Sequence, residues 1–151
     1  MKNFMKKVGV VAALAASSVM FSADALAEEW PLVAGDYWEV TGIDIKDGGG
    51  WKYANWLATE WRKNLDFAKS KGWIKDYMIF ANTYGRHGEA DLYLVRVVEN
   101  VPSGAVGEQR QIEYLEWQSK SIEAMQKESG NRAEYREVMS TSLLQHMKFR
   151  D

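Results

Sequence analysis

Apolar residues along this chain switch between two periods, and the switches mark its elements. Alternation at every second position reads as strand, and recurrence every three or four residues reads as helix. In DYWEVTGIDI, residues 36–45, Trp38 and Val40 fall on one phase while Ile43 and Ile45 fall on the other. One surplus residue near Thr41-Gly42 repairs the alternation, so the segment predicts a strand with a β-bulge. DGGG follows as a flexible joint, and a helix is predicted from there to Gly72. Its Ala54, Leu57, Trp61, Leu65 and Ala68 are spaced by 3, 4, 4 and 3 residues, which makes one stripe for a core. Gly72 is placed to end this helix at C′, behind Lys69 and Lys71 in the last turn.

Strand alternation returns in YMIFANTY, residues 77–84, and in DLYLVRVV, residues 91–98. The short glycine-containing stretch GRHGEA between them predicts a hairpin. The third strand is apolar on both phases, with Leu92, Leu94 and Val98 against Tyr93, Val95 and Val97. VPSGAVG is a loop, and residues 107–129 read as one long helix with Ile112, Leu115 and Ile122 on its main stripe. Gly130 stops it. Asn131 with Glu134 three residues on predicts the start of a short further helix. MSTSLLQHMKF, residues 139–149, closes the pattern as a fourth strand.

The order β-α-β-β-α-(α)-β predicts an α+β domain of the ferredoxin-like kind, an antiparallel sheet with helices on one face. Such a sheet usually leaves its other face to water. A third strand apolar on both phases implies that this face is covered too.

The first helix carries rings on two sides. At about 100° per residue, Trp56 stands about 140° from Trp61 and shares the far side with Tyr53 and Phe67. Tyr53, Trp56 and Phe67 are thus a candidate interaction face. The preferred reading is intramolecular, with the second long helix or the 131–138 turn folding over them. Trp51 sits at the glycine-rich entrance, and Trp73 is placed to pack back onto the helix as C″.

The N-terminus changes the picture of the compartment. A basic MKNFMKK, an apolar VGVVAALAASSVMF and a small-residue SADALA make the pattern of a cleaved secretory signal over residues 1–27, with cleavage after Ala27. The expectation is a periplasmic or secreted protein, one domain over residues 28–151, with no membrane association after cleavage. There is no cysteine, which removes disulfides, thiolate catalysis and cysteine-ligated zinc. Residues 28–151 hold 16 Lys+Arg against 20 Asp+Glu, a net charge of −4. That balance excludes a basic nucleic-acid footprint.

The segments YWEV, YANWLATEWRKNLDFAKSKGWI, NTYGRHGEADLYLV and LLQHMKF resemble uncharacterised secreted proteobacterial proteins of the dimeric α/β-barrel superfamily. The resemblance spans residues 36–150. It implies a homodimer whose two sheets pack face to face. Members of that superfamily include antibiotic-biosynthesis-type monooxygenases and haem-degrading enzymes. No catalytic signature of a characterised member is matched, so the resemblance assigns no functional residue here.

Candidate chemistry is sparse. His87, Glu89 and Asp91 could offer three ligands to a metal, but their spacing matches no known motif, and a solvated hairpin tip is the preferred reading. No metal and no cofactor is assigned. Gly48, Gly49 and Gly50 precede a helix as phosphate loops do, without the Lys-Ser/Thr continuation. His146 is a candidate general base or haem ligand, or simply an edge-strand histidine. Arg96 needs a partner if buried, and an ion pair with a carboxylate such as Glu39 is preferred to an anion handle. A pocket, if present, is expected from Trp38, Phe80, Asn82, Tyr84, Arg96 and His146. The leading expectation is a non-catalytic homodimer holding a small apolar or aromatic ligand between its sheets. The alternatives are a cofactor-independent or haem-linked monooxygenase-like enzyme, and an envelope protein-interaction module.

Overall fold

The computed structural model describes residues 29–151. The signal segment and its cleavage point lie outside the described residues. Strand β1 is Leu32–Ile45, and helix α1 covers residues 50–70. Strand β2 is Asp76–Ala81 and β3 is Leu92–Val98. Helices α2, Gly104–Gln118, and α3, Ile122–Arg132, precede β4, Arg136–Phe149. The four strands form one antiparallel sheet in the order β2-β3-β1-β4. This is an α+β arrangement that fits a ferredoxin-like fold.

The predicted bulge in β1 is absent: Tyr37–Ile43 pairs with β3 in unbroken register, so Trp38 and Val40 serve one face of the sheet and Ile43 and Ile45 the other, and the β1–β4 register shift between Gly42 and Ile43 comes from a surplus residue in β4, Met139. A second shift, between Ala34 and Tyr37, was not foreseen. β1 also begins earlier than its alternation suggested, because residues 32–34 pair with 147–149 of β4. The predicted single helix over 107–129 is two. Ser119 takes the left-handed conformation, φ 52°, and breaks the chain between α2 and α3. Ser121 then caps α3, its side-chain oxygen accepting from the Ala124 amide at 3.2 Å. Asn131 starts no helix. It falls in the last turn of α3, and three residues of turn lead straight into β4.

The end of α1 follows the predicted glycine stop. Gly72 has φ 68°, its amide donates to Lys69 O at 3.0 Å, and the Trp73 amide donates to Ala68 O at 2.9 Å. That pair of bonds is a Schellman cap. The Trp73 ring then meets Phe67 edge-on, with centroids 5.4 Å apart. The start of α1 is tighter than a flexible joint. A side chain at Gly49 would run into the Tyr135 carbonyl oxygen, so this glycine is required by close backbone approach.

The middle of α1 departs from regular helix, and the core depends on it. Gly50–Trp56 and Arg62–Ser70 are α-helical, but Leu57–Trp61 is a π-helical turn in which the Arg62 amide reaches back five residues to Leu57 O. A π turn accommodates about one surplus residue. In a uniform helix Tyr53 and Leu65 would stand about 120° apart, and removing one residue from the count brings them within about 20°. Tyr53, Leu57 and Leu65 are accordingly all buried, and Tyr53 is only 1% exposed. They face the sheet, where Tyr53 and Leu57 form a cluster with Ile43, Leu94 and Tyr135. Ala54, at the start of the predicted stripe, is exposed for the same reason.

Deleting the exposed Thr59 is expected to convert the π turn to α-helix and leave a folded protein. Inserting one alanine beside it should swing Tyr53 about 100° out of the core and unfold the domain. Far-ultraviolet circular dichroism and thermal unfolding of the two variants check this. An insertion as stable as the deletion would contradict it.

Candidate functional site

Sheet pairing assigns each side chain to a face. Glu39, Thr41 and Ile43 of β1 lie on the helix side with Leu94 and Arg96 of β3. Trp38 and Val40 lie on the other side with Val95, Val97, Met78 and Leu144. Two places on the molecule follow: a chamber between helices and sheet, and the open face of the sheet.

The chamber exists because α2 and α3 do not lie down on the sheet. They pack against the flank of α1 instead. Phe67 of α1 stacks on Trp117 of α2 at 4.1 Å and 11°. Tyr53 stacks on Trp56 at 5.6 Å and 8°, and the Arg132 guanidinium at the end of α3 lies 4.4 Å over the Trp56 ring. Tyr135 completes the cover, 6.1 Å from Tyr53. The candidate interaction face is thus covered from within, in line with the preferred intramolecular reading. Tyr53, Trp56 and Phe67 are all engaged inside the molecule, by α2, by α3 and by the turn before β4.

Above β1 and β4 this leaves a cavity of about 590 Å³. Thr41, Ile43 and Leu94 line its floor, and Tyr53, Trp56 and Trp61 its aromatic wall. Arg96 and Glu39, its neighbour across the β1–β3 pairing, form an ion pair at one end. Arg132 and Arg136 stand at the other end. Neither makes an ion pair with a carboxylate among the described residues. Arg132 Nε is buried and has no hydrogen-bond partner. Burial, and then the charge of Arg136, hold the Arg132 guanidinium below its ordinary value.

The expected pocket residues are not brought together. Trp38 and His146 share the open face with ring centroids 6.1 Å apart. Phe80 is on that face too, but on β2, two strands away from Trp38 and across the sheet from His146. Arg96 points to the opposite side, where Glu39 holds it. Asn82 is tied into the hairpin, its side-chain amide donating to Ala90 O at 3.1 Å and to Glu89 Oε2 at 3.3 Å. Tyr84 stands 91% exposed at the hairpin tip. The reason is phase: residues 96 and 97 sit on opposite sides of a pleated strand, and residues past Ala81 have left the strand altogether. Glu89 and Asp91, considered with His87 as ligands, tie the hairpin down. Glu89 accepts from the Arg86 amide at 2.9 Å and Asp91 from the Ile45 amide at 2.7 Å. No group of three or more potential metal ligands gathers among the described residues.

No family model, no curated protein and no solved structure matches this chain. The site must therefore be read from its own geometry. Sequence reasoning missed Arg132 and Arg136 as site residues. The arginines four apart in NRAEYR were a signal, but they were read as part of a further helix rather than as the junction of α3 and β4.

Burial pushes the Tyr53 phenol up to about 12, against a weaker opposite pull from Arg136 and Arg132. Below pH 10 the phenol is protonated in folded and unfolded chains alike. Between pH 10 and 12 the unfolded chain ionises it and the folded protein does not, so stability falls as pH rises. The loss amounts to about 2–3 kcal/mol across that window. Tyr53→Phe is expected to remove this component. Urea unfolding of both proteins through the window measures it as a difference, in which the other tyrosines cancel. Parallel pH profiles would contradict the assignment.

Proposed function

We propose that this chain acts as a non-catalytic homodimer, its protomers packed through the open faces of their sheets with a small apolar or aromatic ligand between them. The observation that carries the reading is the composition of that face. Trp38, Val40, Met78 and Phe80, packed around the buried Val95 and Val97, form a nearly continuous apolar face with no helix of the described residues over it. Phe80 is 48% exposed and Leu144 54%. Apolar patches of this kind mark interaction sites. The strand at the rim points the same way. Thirteen consecutive residues of β4, from Glu137 to Phe149, are exposed, and among the described residues no strand pairs with its outer edge. Leu144 of this strand carries the apolar surface of the open face out to the rim.

The dimeric α/β-barrel resemblance supports the same geometry. The basic-apolar-small pattern of residues 1–27 supports a periplasmic or extracellular site of action. No helix among the described residues is long and apolar enough to cross a membrane. The monooxygenase-like alternative rested on His146, Asn82 and Arg96 lying together, and they lie apart. The interaction-module alternative rested on the far side of α1, which α2 and α3 cover.

Native mass spectrometry at micromolar concentration is expected to give a dimer. Leu144→Asp, on the open face, should give a folded monomer. Leu143→Asp, on the helix side of the same strand, should remain dimeric. A monomeric parent protein would overturn the proposal, and equal effects of the two variants would replace face-to-face packing with edge pairing.

A further inference from the structure

We infer that the chamber between α1 and the sheet is a binding site for a small planar aromatic carboxylate. Its rings would lie against the Trp56–Trp61 wall and its carboxylate on Arg132 and Arg136. This site is on the opposite side of the sheet from the proposed dimer interface and lies within one protomer.

The charge of the chamber is unbalanced. Glu39 and Arg96 neutralise each other. That leaves two guanidinium groups, Arg132 and Arg136, with no carboxylate at ion-pair distance among the described residues. Of the other acids that share a pocket lining with Arg132, Glu60 stands beyond ion-pair distance and two are held elsewhere. Glu128 is held by Lys120 at 2.8 Å, and Glu134 by Lys52 at 3.4 Å. The chain as a whole is acidic, so a paired cationic site without an anion is not a by-product of composition.

The Arg132 side chain is also fixed and unsatisfied at once. Its guanidinium is seated over Trp56, which is itself stacked on Tyr53. Standing at the end of α3, it is favoured by the helix dipole, which explains the presence of a cation. The dipole does not explain a buried Nε–H with no acceptor. That nitrogen is closed even to water, so a ligand in the chamber would meet the outer nitrogens of the guanidinium and not Nε. A guanidinium offers a planar fork of donors that matches a carboxylate with two parallel bonds.

Size and shape select the rest of the ligand. A cavity of about 590 Å³ lies in the range of small-molecule sites and exceeds what one inorganic anion needs. Its accessible lining mixes polar and apolar surface, and the half-buried Trp56 and Trp61 are the rings a planar ligand would meet. The lining holds no histidine, and its one carboxylate is held in an ion pair. The site therefore binds and does not supply a base.

Isothermal titration calorimetry of the purified protein with 2-naphthoate tests this. Naphthoate is expected to bind about tenfold or more tightly than 2-naphthalenemethanol, which keeps the ring and lacks the charge, and than acetate or phosphate, which lack the ring. Arg132→Met should weaken naphthoate by a similar factor and leave naphthalenemethanol unchanged. Arg132→Lys keeps a charge and should still lose most of that gain, because the fork is gone. Naphthoate and naphthalenemethanol binding alike would overturn the anion part. Phosphate or acetate binding as well as naphthoate would overturn the aromatic part, and no binding of naphthoate overturns the whole. The comparison among ligands needs no variant, so a misfolded Arg132→Met does not spoil it. Leu144→Asp should bind naphthoate as the parent does, so a failure of the dimer reading and a failure of this one are told apart.

Discussion

A helix with large rings on two sides can be buried on both only if it is held between layers. α1 meets that condition. Tyr53, Leu57 and Leu65 face the sheet, while Phe67 stacks on Trp117 and Trp56 lies under Arg132. The π turn at Leu57–Trp61 sets the phase between its two halves, so both arrangements can hold in one continuous helix. Everything else in the molecule is arranged around it. Because α2 and α3 are drawn to the flank of α1, they stand off the sheet, and the space beneath them is the chamber.

The two faces of the sheet thus differ in kind. On the helix side, the apolar floor is interrupted by the Glu39–Arg96 pair and the site is walled by aromatic rings. On the open side, Trp38 and Val40 of β1 and Val95 and Val97 of β3 are apolar, with Val95 and Val97 buried at the centre and Phe80 and Leu144 exposed toward the edges. One face carries the chamber and the other a largely apolar surface. The two do not compete for residues, since neighbouring positions along a strand serve opposite sides.

The element order, the hairpin and the glycine stop at Gly72 were legible in the sequence, because each depends on local chemistry; the bulge expected in β1 was not there, because two apolar phases serving the two faces of the sheet look like a slipped alternation. The Arg96–Glu39 pair was legible too, since a charge on an apolar strand phase demands a partner. The rest was not legible, because each part depends on something the local pattern does not carry. The wheel for α1 assumed a uniform rotation, and the π turn reassigned Tyr53 from the far side to the core. The break at Ser119 has no glycine or proline to announce it; the left-handed turn is adopted by a serine. Which strand phase faces the helices depends on the whole topology, and so the expected pocket mixed residues of both faces with residues of the hairpin. Arg132 and Arg136 became a pair only through the α3–β4 junction.

The pairing of β1 and β4 has a consequence for how the domain is made. β1 is an inner strand, bonded to β3 on one edge and to β4 on the other, and Leu32 pairs with Phe149. The first strand to leave the ribosome therefore waits for the last to complete its hydrogen bonds. Contacts so distant along the chain form slowly, and a partly made chain exposes an unpaired apolar strand in the meantime. Such a chain stays extended, and open to threading or to a holding chaperone, until nearly all of it has emerged.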